Sequence, residues 1–186
     1  DLAISRGFDN KMGAFIVAET MREIAGAKEK PKASLYSVAT VQEEVGLRGA
    51  RTSTYGVDPL VGIALDVTCA TDHPDVDKRQ VGDLELGKGP VIVRGANVNP
   101  VVFDKLVATA GKHKIPYQIQ AEPGATGTDA NAIQLSRSGV ATGLVSVALR
   151  YMHTPVEVLD LRDLEYTIQL LTQFVLSVGK GSTFIP

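Results

Sequence analysis

A chain of 186 residues, 44% hydrophobic and 22% charged, can bury one full core, which suits a single globular domain better than two. Its formal net charge of -2 leaves no surplus of Lys or Arg to neutralise a phosphate backbone or dock on an anionic bilayer, so neither nucleic acid nor a membrane is an expected partner. Cys69 has no second thiol to pair with and no apolar run approaches the ~20 residues that cross a bilayer, so a reducing cytoplasm is the expected compartment. The first eight residues lack the basic-then-apolar order of a signal peptide. They open on an apolar stretch that runs straight into a charged helix start, so the chain is expected to be a piece of a longer protein.

Met12, Phe15, Ile16, Thr20 and Ile24 recur at three- and four-residue spacing and predict a helix, with Asp9 in position to cap its start and Gly26 following its last turn. Residues 34–40, in the β-favouring run ASLYSVAT, predict a buried strand bounded by Pro31 and the pair Glu43-Glu44. Residues 60–66 repeat that pattern and end in Asp66. Between Thr68 and Gly95 the chain is rich in Asp, Gly and Lys with only short apolar pieces such as Val91 to Val93, and is expected to be an irregular surface excursion. Asn99 then caps a helix with Pro100 in its first turn and Val102, Phe103, Leu106, Val107 and Ala110 as its apolar stripe. Tyr117, Ile119 and Ala121 alternate with Gln118 and Gln120, the mark of a strand with one polar face.

A glycine-bearing loop and short helix follow in GATGTDANAIQLSRSG, with Thr128 and Asp129 read as its N-cap. Residues 142–149 form a third apolar strand. The last helix carries Leu161, Leu164, Ile168, Leu171, Val175 and Val178 in a three-four rhythm, capped by Asp160 and closed by Gly179. Helices and strands alternate, which predicts an α/β sandwich with a mostly parallel central sheet flanked by helices. The three apolar strands at 34–40, 60–66 and 142–149 are expected to be buried neighbours.

In such sheets ligands gather outside the carboxyl ends of the strands, and there the chemistry-bearing residues collect. Glu43 and Glu44 follow the first strand, Asp66 ends the second, His153 follows the third within RYMHTP, and Asp9 stands at the start of a helix. Each has a structural alternative: Asp9 as a cap, the Glu pair as a solvated turn, Asp66 as the acceptor of a following turn, His153 as an ordinary structural histidine. Together they shift the balance. Carboxylate oxygens plus one imidazole suit a divalent ion such as zinc, cobalt or manganese, and one cysteine offers no thiolate cluster.

The motifs FDNKMGAF around Asp9, VQEEVGLRGA around Glu43 and Glu44, GIALDVT around Asp66, GTDANAIQLSRSG, and RYMHTPVE around His153 resemble, in this order and spacing, the tetrahedral or deblocking aminopeptidases, which include the glutamyl aminopeptidases. The resemblance runs over nearly the whole chain and implies a zinc-exopeptidase-like fold with two divalent metal ions, zinc or cobalt, acting on the N-termini of peptides. It implies that Asp9 bridges both ions, that Glu44 and His153 complete one site, and that Asp66 binds the other ion. Glu43 would be the general base that takes the proton from the attacking water.

One departure stands out. The family places a histidine ligand well upstream of the Asp9 motif, ahead of an inserted smaller domain used in assembly, whereas only eight residues precede Asp9 here. His73 and His113 do not sit in that motif; they read as a loop residue and a helix-end residue. By this resemblance residues 1–186 are the C-terminal part of a metallopeptidase catalytic domain, with one ion site lacking a ligand, so the chain is expected to hold one ion or none. The longer protein is expected to be a homo-oligomer. The resemblance also sets Thr128 and Asp129, read above as an N-cap, in a loop near the active site; Arg48 reads as the start of the next helix, and Arg150 and Tyr151, beside His153, can orient the ligand or shape the substrate pocket without a catalytic role.

Two other functions fit parts of this pattern. The chain can be a structural or assembly fragment without turnover of its own, in which case adding the upstream segment would not restore activity. Or two of its carboxyl groups can flank a glycosidic bond without metal, in which case a chelator would have no effect.

Overall fold

In the computed structural model, which describes residues 1–74 and 76–186, the elements follow in the order β1 (Leu2–Ser5), α1 (Phe8–Gly26), α2 (Arg48–Val57), β2 (Val61–Cys69), α3 (Lys78–Val81), β3 (Val91–Gly95), α4 (Pro100–His113), β4 (Gln118–Glu122), α5 (Ala130–Ile133), β5 (Ala141–Leu149), β6 (Glu157–Asp160) and α6 (Leu161–Ser177). Four strands make the central sheet in the order β2-β5-β3-β4. β2 runs parallel to β5 in a nine-residue register from Val61 opposite Ala141 to Cys69 opposite Leu149, and β3 runs parallel to β4. Only the β3–β5 pair is antiparallel, so the sheet is mostly parallel and flanked by helices, as its alternating elements imply. A separate antiparallel pair, β1 with β6, matches Leu2 with Asp160 and Ser5 with Glu157.

Local capping chemistry fixes the helix starts. Asn99 Oδ1 accepts from the backbone N–H of Val101 and Val102, with Pro100 in the first turn of α4. Asp160 Oδ1 accepts from Arg162 N at the start of α6. The start of α1 departs from expectation: Asp9 does not cap it. Asn10 Oδ1 accepts from Gly13 N at 3.0 Å, which leaves the Asp9 carboxyl free to face elsewhere.

The largest apolar cluster joins Val102, Leu106 and Ala110 of α4, Leu170 and Phe174 of α6 and Ile133 of α5 to Ile92, Val93, Leu144 and Val145 of the sheet. A second cluster gathers Met12 and Ile16 of α1, Leu164 and Leu171 of α6, and Val67, Val147, Leu149 and Leu159. α6 belongs to both and ties the two halves of the core together. Leu161 lies outside that stripe, exposed at the first turn of α6.

Two expectations need correction and one gains detail. Residues 34–40 form no strand and lie largely exposed, with Tyr36 63% accessible. Strand propensity is realised only where a neighbour's edge accepts the backbone. Among the described residues β2 pairs with β5 alone, and 34–40 stand across a cavity of about 360 Å³ from the free side of β2, lined by Leu35, Val38, Val17 and Gly62 to Leu65. Second, residues 91–95 are the buried strand β3 in the middle of the sheet. Five residues of VIVRG inside a polar stretch are too short for periodicity to separate from a loop; Asp75, in the same stretch, lies outside the described residues. The strand with one polar face is present as β4, and that face is the covered one. Gln120 Oε1 accepts from Thr68 Oγ1, Gln118 bonds Glu85 and Gly89, and Ile119 is 51% exposed.

Candidate metal centre

Three turns or loops carry Asp9, the Glu43-Glu44 pair and His153. Gly7 turns the chain in the left-handed region (φ 71°) between β1 and α1, a conformation that glycine adopts without strain, and so sets Asp9 at the head of α1. Glu43 and Glu44 sit in a turn in which Glu43 O accepts from Gly46 N and Leu47 N at 3.0 and 2.9 Å. That turn is pinned to α2 by Gly49 N donating to Val41 O at 2.8 Å, and a Cβ at Gly49 would collide with the Val41 backbone. His153 lies in the loop between β5 and β6. Gln42, Leu47, Tyr151 and His153 all hold positive φ, a strain that loops bearing functional groups retain more often than others.

Asp9, Glu44 and His153 come together. His153 Nε2 stands 2.9 Å from Asp9 Oδ2 and 3.7 Å from Glu44 Oε1, and one ligand atom of each lies within 4.8 Å of the others. One imidazole nitrogen and two carboxylate oxygens at this separation fit a divalent ion, and three protein ligands with an open position are the habit of catalytic zinc. Asp9 is nearly covered while Glu44 and His153 are largely exposed, so the set opens to solvent. Burial pushes the Asp9 carboxyl above its ordinary range, the charges of Glu44 and Glu157 push it further, and His153 draws it back. A cation seated there would relieve that repulsion.

Asp66 does not join this set. It is buried in β2, where its Oδ1 accepts from Val67 N at 2.8 Å and from Asn10 Nδ2 at 3.2 Å. Burial pushes its carboxyl up to about 7, opposed by the Val67 amide and reinforced by the charges of Glu43, Asp9 and Asp129. Glu43 is likewise pushed up to about 7, by burial first and then by Asp129, Glu44 and Asp9. Asp9, Glu43, Asp66 and Asp129 therefore share one acidic pocket. Among the described residues no second set of three ligating groups forms. His113 ends α4, and the His73 ring packs on Tyr151 with centroids 5.1 Å apart.

Three residues matter here without having been singled out as site residues. Asn10 bridges the two ends of the pocket: Nδ2 donates to Leu65 O and Asp66 Oδ1, while Oδ1 caps α1. Asp129 holds the N-cap position of α5 but makes no capping bond. Its Oδ2 accepts from Thr40 Oγ1 at 2.6 Å, and its Oδ1 is buried without a partner among the described residues. Glu157 is buried beneath Asp9 and His153 and accepts from backbone amides of both. Arg150 turns away from the pocket to a two-pronged ion pair with Asp72, at 2.7 and 2.9 Å.

Comparison with known proteins identifies its relatives. The family model described as M42 glutamyl aminopeptidase matches residues 1–170. A lysyl aminopeptidase of Pyrococcus furiosus is 44% identical over 162 residues, covering 87% of this chain and 45% of the relative. The aminopeptidase APDkam598 of the archaeon Desulfurococcus kamchatkensis superposes with a TM-score of 0.86 at 41% identity, over 95% of this chain and 49% of that one. The TET1 peptidase of Pyrococcus horikoshii, which can assemble into a tetrahedron or a large octahedral shell, superposes with a TM-score of 0.80 at 30% identity, over 95% of this chain and 51% of that one. The chain thus spans about half the length of the curated relatives it matches.

Proposed function

Because the chain belongs to the M42 glutamyl aminopeptidase family, we propose that it carries one half of a two-metal aminopeptidase centre, with Asp9, Glu44 and His153 holding one divalent ion, zinc or cobalt. Asp66 serves a second ion, shared through Asp9, whose remaining ligands come from polypeptide outside these 186 residues. The observation that carries this reading is the approach of His153 Nε2 to 2.9 Å from Asp9 Oδ2, with Glu44 Oε1 at 3.7 Å. Three neutralising groups around one point suit a cation better than a sugar ring, since glycosidic cleavage asks for two separated carboxyl groups and no imidazole.

Two divalent ions held by these residues would supply polarisation of the scissile carbonyl and a more acidic water at neutral pH. The chain's own residues do the rest. Glu43 stands in the turn beside the ligand set rather than in it. Its carboxyl, pushed up to about 7 by burial and by Asp129, Glu44 and Asp9, takes a proton from water and returns it to the leaving amine near neutral pH. Asn10 holds Asp66 in register with Asp9 through its bond to Asp66 Oδ1. The exposed rim formed by Glu44 and His153 leaves the approach open to a peptide N-terminus.

The test sets the 186-residue chain beside the longer protein that contains it, both supplied with zinc or cobalt and an aminoacyl chromogenic substrate. The longer protein is expected to turn over, to stop with a chelator, and to stop again on Glu43→Gln while retaining its metal. The chain alone is expected to bind one ion and show little turnover. Equal turnover by both, or chelator-insensitive activity, refutes this assignment. The longer protein is also expected to self-associate, in keeping with the assembly of the P. horikoshii relative, which light scattering would detect.

A further inference from the structure

Glu157 is a buried carboxylate whose three hydrogen bonds all come from main-chain amides of the two segments that carry the metal-ligand candidates. It opens β6, is only 2% exposed, and stands opposite Ser5 in the β1–β6 pair. Its Oε2 accepts from Phe8 N at 2.6 Å and from Asp9 N at 3.4 Å, and its Oε1 accepts from His153 N at 3.2 Å. No Lys or Arg pairs with it among the described residues. A buried anion without a cationic partner is costly unless amides or a nearby cation compensate, and the amides it has recruited belong to residues 8, 9 and 153.

We propose that Glu157 is a positioning residue for the metal centre: one carboxylate clamps the backbone of Asp9 and of His153, so that Asp9 Oδ2 and His153 Nε2 face each other before an ion arrives. The inference rests on the metal-site reading above and deepens it. Asp9 and His153 are 144 residues apart in sequence and lie in separate loops. The left-handed backbone of His153 (φ 62°) needs an external restraint to persist, and the bond from His153 N to Glu157 supplies one. The clamp keeps the ligand pair from relaxing apart in the empty state, which lowers the ordering cost of binding. Its negative charge beneath the site also favours a cation.

Asp163 provides an internal control. It too is fully buried and accepts two backbone amides, Gly87 N and Gly89 N at 2.7 Å each, but it ties α6 to a loop remote from the ligand set. The experiment titrates the 186-residue chain with Co(II) alone and records the visible cobalt bands and the thermal midpoint for wild type, Glu157→Gln, Asp163→Asn and His153→Ala. Glu157→Gln is expected to lower Co(II) affinity roughly ten- to a hundredfold, as loss of a supporting group typically does, and to change the cobalt spectrum. Asp163→Asn is expected to lower the midpoint while leaving affinity and spectrum unchanged. Wild-type affinity and spectrum in Glu157→Gln, with a lowered midpoint, overturn the proposal and leave the metal site intact. Equal binding by wild type and His153→Ala removes the metal-site reading, and the proposal with it. If Glu157→Gln does not fold, hydrogen exchange on the wild type decides. Because coupling is reciprocal, Zn(II) must slow exchange at Phe8 N–H and His153 N–H if the clamp favours binding, and unchanged rates there refute it.

Discussion

At one end of the acidic pocket, Asp9 and Glu44 face an imidazole, and the backbones of Asp9 and His153 are fastened to the same buried Glu157. At the other end, Asp66, Glu43 and Asp129 bring no imidazole or cation of their own; burial raises all three carboxyls, repulsion from neighbouring carboxylates adds to the rise at Asp66 and Glu43, and one Asp129 oxygen lacks a partner among the described residues. The first end has complementary groups supplied by the chain itself, in the arrangement proposed to hold an ion. The second stores unfavourable charge, which an ion or further ligands would relieve. The difference shows that a site can be half built in physical terms: ligand count and carboxylate burial need not rise together.

The strongest way to break this comparison is to remove a ligand from each end. His153→Ala is expected to reduce Co(II) affinity more than the roughly 10–100-fold typical of losing a supporting residue, because it takes away the only nitrogen donor in the set. Asp66→Ala is expected to reduce it by about tenfold at most, through lost long-range attraction alone. Calorimetric titration of both variants measures the contrast. Equal losses would mean that Asp66 ligates the same ion and that the two ends are one site.

A second test uses pH in the absence of metal. Asp66 is raised from 3.8 to about 7 in the folded chain, so the native state keeps a proton there that the unfolded chain has released. Its contribution to stability is full below about pH 4 and is lost as pH rises through about 7. Asp66→Asn removes that loss while retaining an oxygen for the Val67 and Asn10 bonds, so at pH 8 it should be more stable than wild type by on the order of 2 kcal/mol. Near pH 4 the two should be close. Glu43, raised to about 7, and Asp163, raised to about 6, carry slopes of the same sign, so the variant's profile flattens without becoming level. Urea unfolding in chelator at both pH values gives the comparison; a variant less stable at pH 8 would mean that Asp66 is stabilised as the anion by a group not identified in the pocket.

What the sequence disclosed divides along the same line between local and long-range determinants. The caps at Asn99 and Asp160, and the strands within 61–69 and 141–149, are legible because the cap acceptor and the apolar run lie within a few residues of what they organise. Residues 34–40 have the same composition and fail to pair because a strand also needs a free edge at hydrogen-bonding distance, which no local pattern encodes. Which face of β4 is covered has a related cause: Gln118 donates to Glu85 O and Gln120 accepts from Thr68 Oγ1, partners far away in the chain. Glu157 is hard to read from sequence because a lone Glu in PVEVLD looks like the polar position of a strand. Its signal was the charge placed inside an otherwise apolar run four residues after His153. Asn10 was hidden by its neighbour, since either residue could have capped α1.

The smallest expected effect probes how the exposed segment 34–40 is tied to the crowded end. Thr40 Oγ1 donates to Asp129 Oδ2 at 2.6 Å, and the other carboxyl oxygen is buried without a partner among the described residues. Burial raises the Asp129 carboxyl, and the Thr40 bond opposes that rise. Thr40→Val keeps the branched shape, deletes the donor and leaves the carboxylate with no side-chain hydrogen bond among the described residues. The expected cost is about 1 kcal/mol, and it is expected to be greater at pH 8 than at pH 4 because the donor favours the carboxylate form. At pH 4 the cost should shrink, because a protonated carboxyl loses less with the donor. An equal loss at both pH values would assign the effect to packing of 34–40 rather than to the charge of Asp129. A larger loss at pH 4 would reverse the sign of the argument and show that Thr40 serves the neutral acid.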